Sequence, residues 1–366
     1  MSPKSVGNTG AEPPIEPMLA KLADTLPPEG NFLYEPKWDG FRSIVFRSES
    51  DVYIQSRDLR PFDRYFPELH DSLLKELPQG CVLDGEIVIM TPQGLDFDLL
   101  QLRLHPAASR VAKLAKETPA SFVAFDLLAV DGKSLMDAPQ QERRRRLERL
   151  TAKLGPPVYL TPTTTDRKKA LQWLDQFEGA GLDGVIAKRP DLAYQPDKRV
   201  MSKIKHVRTA DCVLAGYRVH KADPEAIGSL LLGLHIDDAA PRSQWGDHAT
   251  GLAPVGVIGA FPMKRRRELF AELQSLVVDI ADHPWSWAAA YSGGPEGGSR
   301  WNPGKDLSFV PLRPERVVEV RYDYLEGARF RHPPQFVRWR HDRDPTSCGY
   351  AQLDQPKPFD VADILG

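Results

Sequence analysis

At 366 residues, with 41% hydrophobic and 27% charged side chains, the chain is long enough for two cores and has no tract biased enough for a disordered or fibrous class. A formal net charge of -2 leaves any polyanionic partner to local basic patches. Cys81, Cys212 and Cys348 are too far apart for a disulfide framework or a zinc cluster, and the sequence has neither a leader-like opening nor a run of roughly 18 apolar residues, so a soluble cytoplasmic protein without membrane contact is expected.

Residues 1–30 read as a loose arm, because Pro13, Pro14, Pro17, Pro27 and Pro28 remove donors and restrict the residues before them. From residue 31 the pattern changes to short strands. Residues 32–35 lead into the loop Glu35-Pro36-Lys37-Trp38-Asp39-Gly40-Phe41-Arg42, and 41–46 with 52–55 form a hairpin. A helix follows over 67–77, then a strand over 81–90 with Asp84-Gly85-Glu86 inside it. A helix over 96–103 precedes an apolar strand over 121–130 that holds Phe125 and Asp126.

The helix over 137–154 carries Arg143, Arg144, Arg145, Arg146 and Arg149, read as a solvated face in preference to a DNA contact. Another helix runs over 166–177, with Ala170, Leu171, Leu174 and Phe177 at helical spacing and Gly179 as its stop. Strands over 182–188 and 200–205 complete a mixed α+β domain. Past residue 206, short strands over 212–219, 229–235, 255–258 and 317–324 with one helix over 264–276 suggest a small closed β-barrel of the OB kind. Residues 292–303, rich in Gly and Pro, read as a surface loop. The expected layout is an arm (1–30), an α+β domain of mixed antiparallel sheets with helices (31–209) and an OB-fold domain (210–366).

Several charged residues fall inside or at the ends of strands: Lys37, Glu86, Asp126, Asp183, Lys203 and Lys205. Burying an unpaired charge is costly, so such positions point to ion pairs or to a ligand. Carboxylates hold Mg²⁺ while lysines and arginines meet phosphate oxygens, so the mixture suits a nucleoside triphosphate with a divalent metal; an internal salt bridge remains the alternative for any one of them.

Lys37-Trp38-Asp39-Gly40 with Arg42, Ser56-Arg57, Asp84-Gly85-Glu86, residues 122–128, Asp183-Gly184-Val185-Ile186-Ala187-Lys188, Ser202-Lys203-Ile204-Lys205 and Arg338-Trp339-Arg340-His341-Asp342-Arg343 resemble the ordered motifs of the covalent nucleotidyltransferases. Among these the chain is most similar to ATP-dependent DNA ligases of the compact bacterial LigC type and to the ligase part of LigD, over about residues 15–350. The resemblance implies an adenylyltransferase domain, ATP-grasp-like in its mixed antiparallel sheets, followed by an OB-fold β-barrel.

It also implies that Lys37 attacks the α-phosphorus of ATP, expels pyrophosphate and carries AMP as a phosphoramidate. Only the neutral amine can attack, and Arg42, Lys203, Lys205 and the metal are the neighbours that would favour it. By the same resemblance Glu86 and Asp183 hold Mg²⁺, with Mn²⁺ as an alternative, although many relatives have glutamate where Asp183 stands. Glu86 also serves the ribose, Phe125 stacks on adenine with Ile186 opposite, and Glu35 reads the adenine edge. Arg57 and Arg199 meet nucleotide or phosphate, and Arg340, Asp342 and Arg343 orient pyrophosphate.

AMP would then pass to the 5′-phosphate of nicked duplex DNA, and the 3′-hydroxyl would displace it. Lys264-Arg265-Arg266-Arg267 and residues 329–331 are the expected phosphate-contacting patches. The layout implies a monomer at the bacterial nucleoid, working in repair, with room for a repair polymerase or an end-binding protein as recruiter. Two other readings stand beside this one. The first is a lysyl-nucleotidyltransferase acting on RNA, either an RNA ligase or a capping-type guanylyltransferase. The second is a silent nucleic-acid-binding module, which the joint retention of Lys37, Glu86, Asp183, Lys203 and Lys205 disfavours.

Overall fold

The computed structural model describes residues 9–28, 30, 32–205, 208–241, 251–286, 308–323, 325–353 and 359–365; residues 1–8 of the arm and the loop read over 292–303 lie outside them. The chain divides into two compact units, Met1–His206 with Pro356–Gly366, and Val207–Gln355. Among the described residues no helix is long and apolar enough to cross a membrane.

The first unit begins with β1 (Leu19–Leu22), β2 (Leu33–Pro36), β3 (Phe41–Arg47), β4 (Val52–Ser56), helix α1 (Pro67–Glu76) and β5 (Cys81–Val88). Then come the short β6 (Met90–Thr91) and β7 (Gly94–Leu95), α2 (Phe97–Leu102), α3 (Ala108–Glu117), β8 (Ser121–Val130) and the short β9 (Lys133–Ser134). They are followed by α4 (Gln140–Thr151), β10 (Val158–Leu160), α5 (Arg167–Gln176), β11 (Val185–Lys188) and β12 (Arg199–Ile204).

Two sheets result. One runs β10-β8-β5-β3-β4 and the other β1-β12-β11-β2. The central strands β3, β5 and β8 are almost continuously buried because both faces are covered. On one face Val45, Leu83, Ile87 and Leu127 pack with Leu69 and Leu73 of α1 and Leu147 of α4. On the other, Ile44, Phe46, Val82 and Leu128 meet Tyr194 and Met201 from around the second sheet.

Four expectations for this unit change. The residues read as a loose arm supply β1, which pairs in parallel with β12, and Ile15 and Met18 are buried. The arginine run of α4 is a solvated face only in part: Arg145 and Arg149 are exposed, but Arg143 is 0% exposed and Arg144 6%, because Arg143 answers the buried carboxylate of Asp126 through two bonds of 2.8 and 2.9 Å. In α5 the inward face is Ala170, Trp173 and Phe177, whereas Leu171 is 41% exposed, since the 3.6-residue period carries the buried stripe to the tryptophan. Residues 359–365, read as part of the second domain, belong to this unit: Phe359 lies 5.3 Å from Phe177, and Val361 and Ile364 of this segment, which ends in the short helix α7 (Ala362–Leu365), are buried in its core.

The second unit contains β13 (Arg208–His220), β14 (Asp223–His235), β15 (Leu252–Ile258), α6 (Met263–Leu273), β16 (Val310–Pro311), β17 (Val317–Tyr322), β18 (Leu325–Glu326), β19 (Arg329–Phe330) and β20 (Gln335–Trp339). Its main sheet is antiparallel in the order β15-β14-β13-β17-β20. Trp285, fully buried, donates to the Leu252 carbonyl at 2.9 Å and anchors the core. The expected phosphate patch on α6 is largely committed elsewhere. Arg266 donates to the carbonyls of Ile227 and Phe261, Arg265 pairs with Glu272, and Arg267 pairs with Asp223.

Candidate active site

Lys37 stands where β2 leaves the sheet. Its N–H donates to the Gly184 carbonyl at 2.8 Å and its carbonyl accepts from Asp183 N–H at 2.9 Å, so the β2–β11 ladder brings Lys37 opposite Asp183. Trp38 is buried and donates through Nε1 to Thr161 Oγ1 at 2.8 Å, which fixes the loop from beneath. The glycines are steric necessities. A Cβ on Gly40 would lie 2.1 Å from the Ile87 carbonyl oxygen, and one on Gly184, at φ +133°, would lie 2.0 Å from that of Ile204.

The lysine amine is embedded in charge. Nζ of Lys37 lies 2.5 Å from Asp183 Oδ2, and Nζ of Lys205 reaches the same oxygen at 3.1 Å. Burial works against ionisation of Asp183, yet Lys37 and Lys205 hold it below the usual carboxylate range. Burial, with Lys37 and Lys205 nearby, holds Lys203 below the usual lysine value. Glu86 sits across the ladder from Arg42, and burial pushes its carboxyl up to about 7 against the pull of Arg42 and Lys37.

Strand alternation puts Asp84 on the same face as Glu86. Asp84 is 0% exposed and grips Arg42 through Nε and Nη2, both at 2.6 Å, while Tyr194 donates to it at 2.7 Å.

Beside Lys37 opens a cleft bordered by Glu35, Arg42, Arg57, Glu86, Phe125, Ile186, Arg199 and Lys203. All eight were singled out in the sequence. Lys205 and Asp183 join them through the ion pairs with Lys37. Glu35 departs from the expected arrangement: its buried carboxylate is paired with Lys188 at 2.6 Å, so a purine edge would meet the pair rather than Glu35 alone. Lys188 also donates to the Phe125 carbonyl at 3.3 Å, and Nζ of Lys188 and the guanidinium of Arg42 lie 4.9 and 4.6 Å from the centre of the Phe125 ring.

Asp126, grouped with the site from its place in a strand, serves Arg143 instead and does not border the cleft. The sequence reading passed over Lys188, Asp84, Tyr194 and the Trp38–Thr161 bond as working parts. The signal for Lys188 was available, since a lysine in the apolar strand β11 needs a partner.

Arg340, Asp342 and Arg343 lie in the second unit, just past β20, a strand the sequence reading did not resolve. Arg340 makes two 2.9 Å bonds to Asp342 and two more to Asp211, at 3.1 and 3.0 Å, and Arg343 is 3.6 Å from Asp211. Hydrogen bonding by Arg340 pushes the Asp342 carboxyl down to about 2.

No three His, Cys, Asp or Glu side chains cluster for a metal among the described residues. Of the carboxylates at the cleft, Glu35 is taken by Lys188, while Glu86 and Asp183 suit Mg²⁺, which usually takes one or two protein carboxylates and completes its shell with water and phosphate oxygens.

Residues 17–205 match the ATP dependent DNA ligase domain, and residues 223–343 match the ATP dependent DNA ligase C terminal region. The chain belongs to the ATP-dependent DNA ligases. This ligase is 60% identical over 350 residues to DNA ligase C2 of Mycolicibacterium smegmatis, covering 94% of this chain and 95% of that protein. It is 58% identical over 361 residues to DNA ligase C of Mycobacterium tuberculosis, covering 96% and 97%. A solved Lig E DNA ligase structure aligns with a TM-score of 0.54 at 16% identity, over 89% of this chain and 99% of that one, a likeness of fold. The ligase thus has a nucleotidyltransferase fold followed by an OB fold, and it joins DNA with ATP as its cofactor.

Proposed function

We propose that the ligase seals nicks in duplex DNA through AMP carried on Lys37, and that the cleft beside Lys37 is where ATP reacts. The observation that carries this reading is the meeting of Lys37, Asp183 and Lys205 within 3.1 Å at the edge of a cleft lined by Glu86, Arg42 and Lys203. The amine nitrogen attacks the α-phosphorus, a P–N bond forms, and the P–O bond to pyrophosphate breaks. A proton must first leave Nζ, and Asp183 Oδ2, 2.5 Å away, is the hydrogen-bond acceptor that faces it. Lys203 and Lys205 offset the negative charge gathered on the non-bridging oxygens from fixed positions.

Glu86 and Asp183 are the residues that would hold Mg²⁺, which supplies charge neutralisation at the phosphates when bound. The Glu35–Lys188 pair together offers an acceptor and a donor to a purine edge, and Phe125 and Ile186 offer apolar surface to its faces. Arg57 and Arg199, on the cleft wall, are assigned to nucleotide or DNA phosphate, and Arg340, Asp342 and Arg343 to pyrophosphate. AMP then passes to the 5′-phosphate at a nick and is displaced by the 3′-hydroxyl.

A repair setting is supported by a third relative, the multifunctional non-homologous end joining protein LigD of Mycobacterium bovis. It is 33% identical over 205 residues, covering 55% of this chain and 25% of that protein. The test is labelling with α-labelled ATP and Mg²⁺, wild type against Lys37→Ala, followed by a chase with nicked DNA or nicked RNA. Label on wild type alone, discharged by nicked DNA with sealing, is the expected result. Equal labelling of Lys37→Ala overturns the nucleophile, and discharge by RNA alone overturns the acceptor.

A further inference from the structure

We propose that Tyr194 is a positioning residue for adenylylation: its hydroxyl holds Arg42 and the N-terminal wall of the cleft in one fixed arrangement around the nucleotide. The inference rests on the reading that Lys37 takes AMP in this cleft. Tyr194 does not border the cleft, but the two groups bonded to its single oxygen, Asp84 and Met18, hold residues that do: Arg42 and the chain neighbours of Met18.

The hydroxyl donates to Asp84 Oδ2 at 2.7 Å and accepts from Met18 N–H at 3.0 Å. Asp84 Oδ2 is the same oxygen that receives Arg42 Nη2 at 2.6 Å, and Arg42 Nη2 also reaches the Met18 carbonyl at 3.3 Å. Met18 is therefore held on both sides of its backbone, its N–H by Tyr194 and its carbonyl by Arg42. The neighbouring Pro17, Leu19 and Ala20 line the cleft. Elsewhere this segment is fastened by Ile15, which exchanges two bonds with the Gln55 amide at 3.0 and 2.6 Å, and by Leu19 N–H on the Lys198 carbonyl at 2.9 Å. Between those two anchors, Tyr194 and Arg42 are the side chains bonded to Met18.

Tyr194 is itself rigidly seated. It is 4% exposed, and its N–H donates to the Met136 carbonyl at 2.7 Å. The guanidinium of Arg143 lies 5.7 Å from its ring centre and donates to the Leu192 carbonyl at 3.0 Å. The buried pair Arg143–Asp126 thus sets the loop before β12, the loop sets the phenol, and the phenol sets Asp84 and Met18. A carboxylate that accepts from both a guanidinium and a phenol has one orientation available, and Arg42 inherits it.

The test is single-turnover labelling with α-labelled ATP of wild type, Tyr194→Phe, Arg42→Lys, the double variant and Lys37→Ala, with melting temperatures alongside. Losing a hydrogen bond to a charged group, Tyr194→Phe is expected to label about tenfold more slowly or to need about tenfold more ATP. In the Arg42→Lys background the same change should add little, because the two act in series. Wild-type rate and ATP dependence for Tyr194→Phe would overturn the proposal, whatever its melting temperature, since a merely structural role predicts that pattern. Multiplying effects in the double variant would also overturn it.

If Tyr194→Phe does not fold, Asp84→Asn takes its place: it keeps the shape but weakens the grip on Arg42, and wild-type labelling by it sinks the idea. Labelling of Lys37→Ala would instead overturn the assignment of the nucleophile, so the two failures are distinguishable.

Discussion

Replacing Arg143 by methionine asks whether the arginine run of α4 holds the first unit together. Arg143 is 0% exposed, and its guanidinium closes bonds of 2.8 and 2.9 Å with Asp126 and of 2.7 and 3.0 Å with the carbonyls of Ala138 and Leu192. Methionine fills the aliphatic stem but leaves Asp126, 1% exposed, charged and without a counter-ion. Removing one partner of a buried pair costs ~3–5 kcal/mol, because the remaining charge has lost its water and gained nothing in return. For a unit of roughly 200 residues each kcal/mol moves the melting temperature by roughly 2–4 °C, so a fall of about 6–20 °C is expected.

Arg145, on the same helix but 65% exposed at its side chain and paired with Glu142, is the control; Arg145→Met should melt close to wild type. The assay is scanning calorimetry, with the transition of the first unit recognised by its upward shift on adding ATP. Arg143→Met combined with Asp126→Leu removes both charges and should recover most of the loss. If Arg143→Met melts within about 2 °C of wild type, or no lower than Arg145→Met, the buried-pair reasoning is wrong.

Gly40→Ala should abolish labelling by ATP and lower the melting temperature, since its Cβ meets the Ile87 carbonyl oxygen at 2.1 Å; a soluble variant that labels normally would refute the steric account. Trp38→Phe should cost ~1–2 kcal/mol in urea unfolding by orphaning Thr161 Oγ1, and Thr161→Val should add little in that background; additive losses would mean the bond matters less than the ring. Lys188→Met leaves the buried Glu35 carboxylate unpaired and should weaken both stability and ATP labelling, with Glu35→Gln restoring stability alone; a full return of labelling would exclude a role for the pair at the purine.

Burial pushes the Cys81 thiol up to about 12 and also raises Cys212 and Cys348. At pH 8 all three thiols therefore remain protonated in the folded state, and iodoacetamide should label them in urea but not in the native protein, as mass spectrometry can show.

The parts of the site legible in the sequence are those carried by short contiguous patterns. The glycines of Lys37-Trp38-Asp39-Gly40 and Asp183-Gly184 announce close backbone approach, and charged residues in the apolar strands β5, β11 and β12 announce partners. The hairpin of β3 and β4 was equally plain from two β-branched and aromatic runs separated by the polar residues 47–51. What escaped depends on residues far apart in the chain. Nothing local says that Arg143 answers Asp126, or that Tyr194 reaches Asp84. The solvated-face reading of α4 held for Arg145 and Arg149 and failed at Arg143 and Arg144 for that reason: composition shows five arginines but not which carboxylate lies beneath the helix. Strand β20 was missed because Gln335-Phe336-Val337-Arg338-Trp339 is short and mostly exposed, its pattern drawn from pairing with β17 rather than from burial.

The order β1-β12-β11-β2 has a consequence for the protein as it is made. When β2 leaves the ribosome its ladder partner β11 does not yet exist, and the bonds that fix Lys37 to Asp183 and Gly184 wait for most of the first unit to be translated. The sheet of β3, β4 and β5 joins neighbours close in sequence and can form early, whereas the sheet that borders the reactive lysine must close a far longer loop. A nascent chain stalled before Val185 carries Lys37 without its setting, so the cleft beside it takes shape only after synthesis has passed the strands that form it.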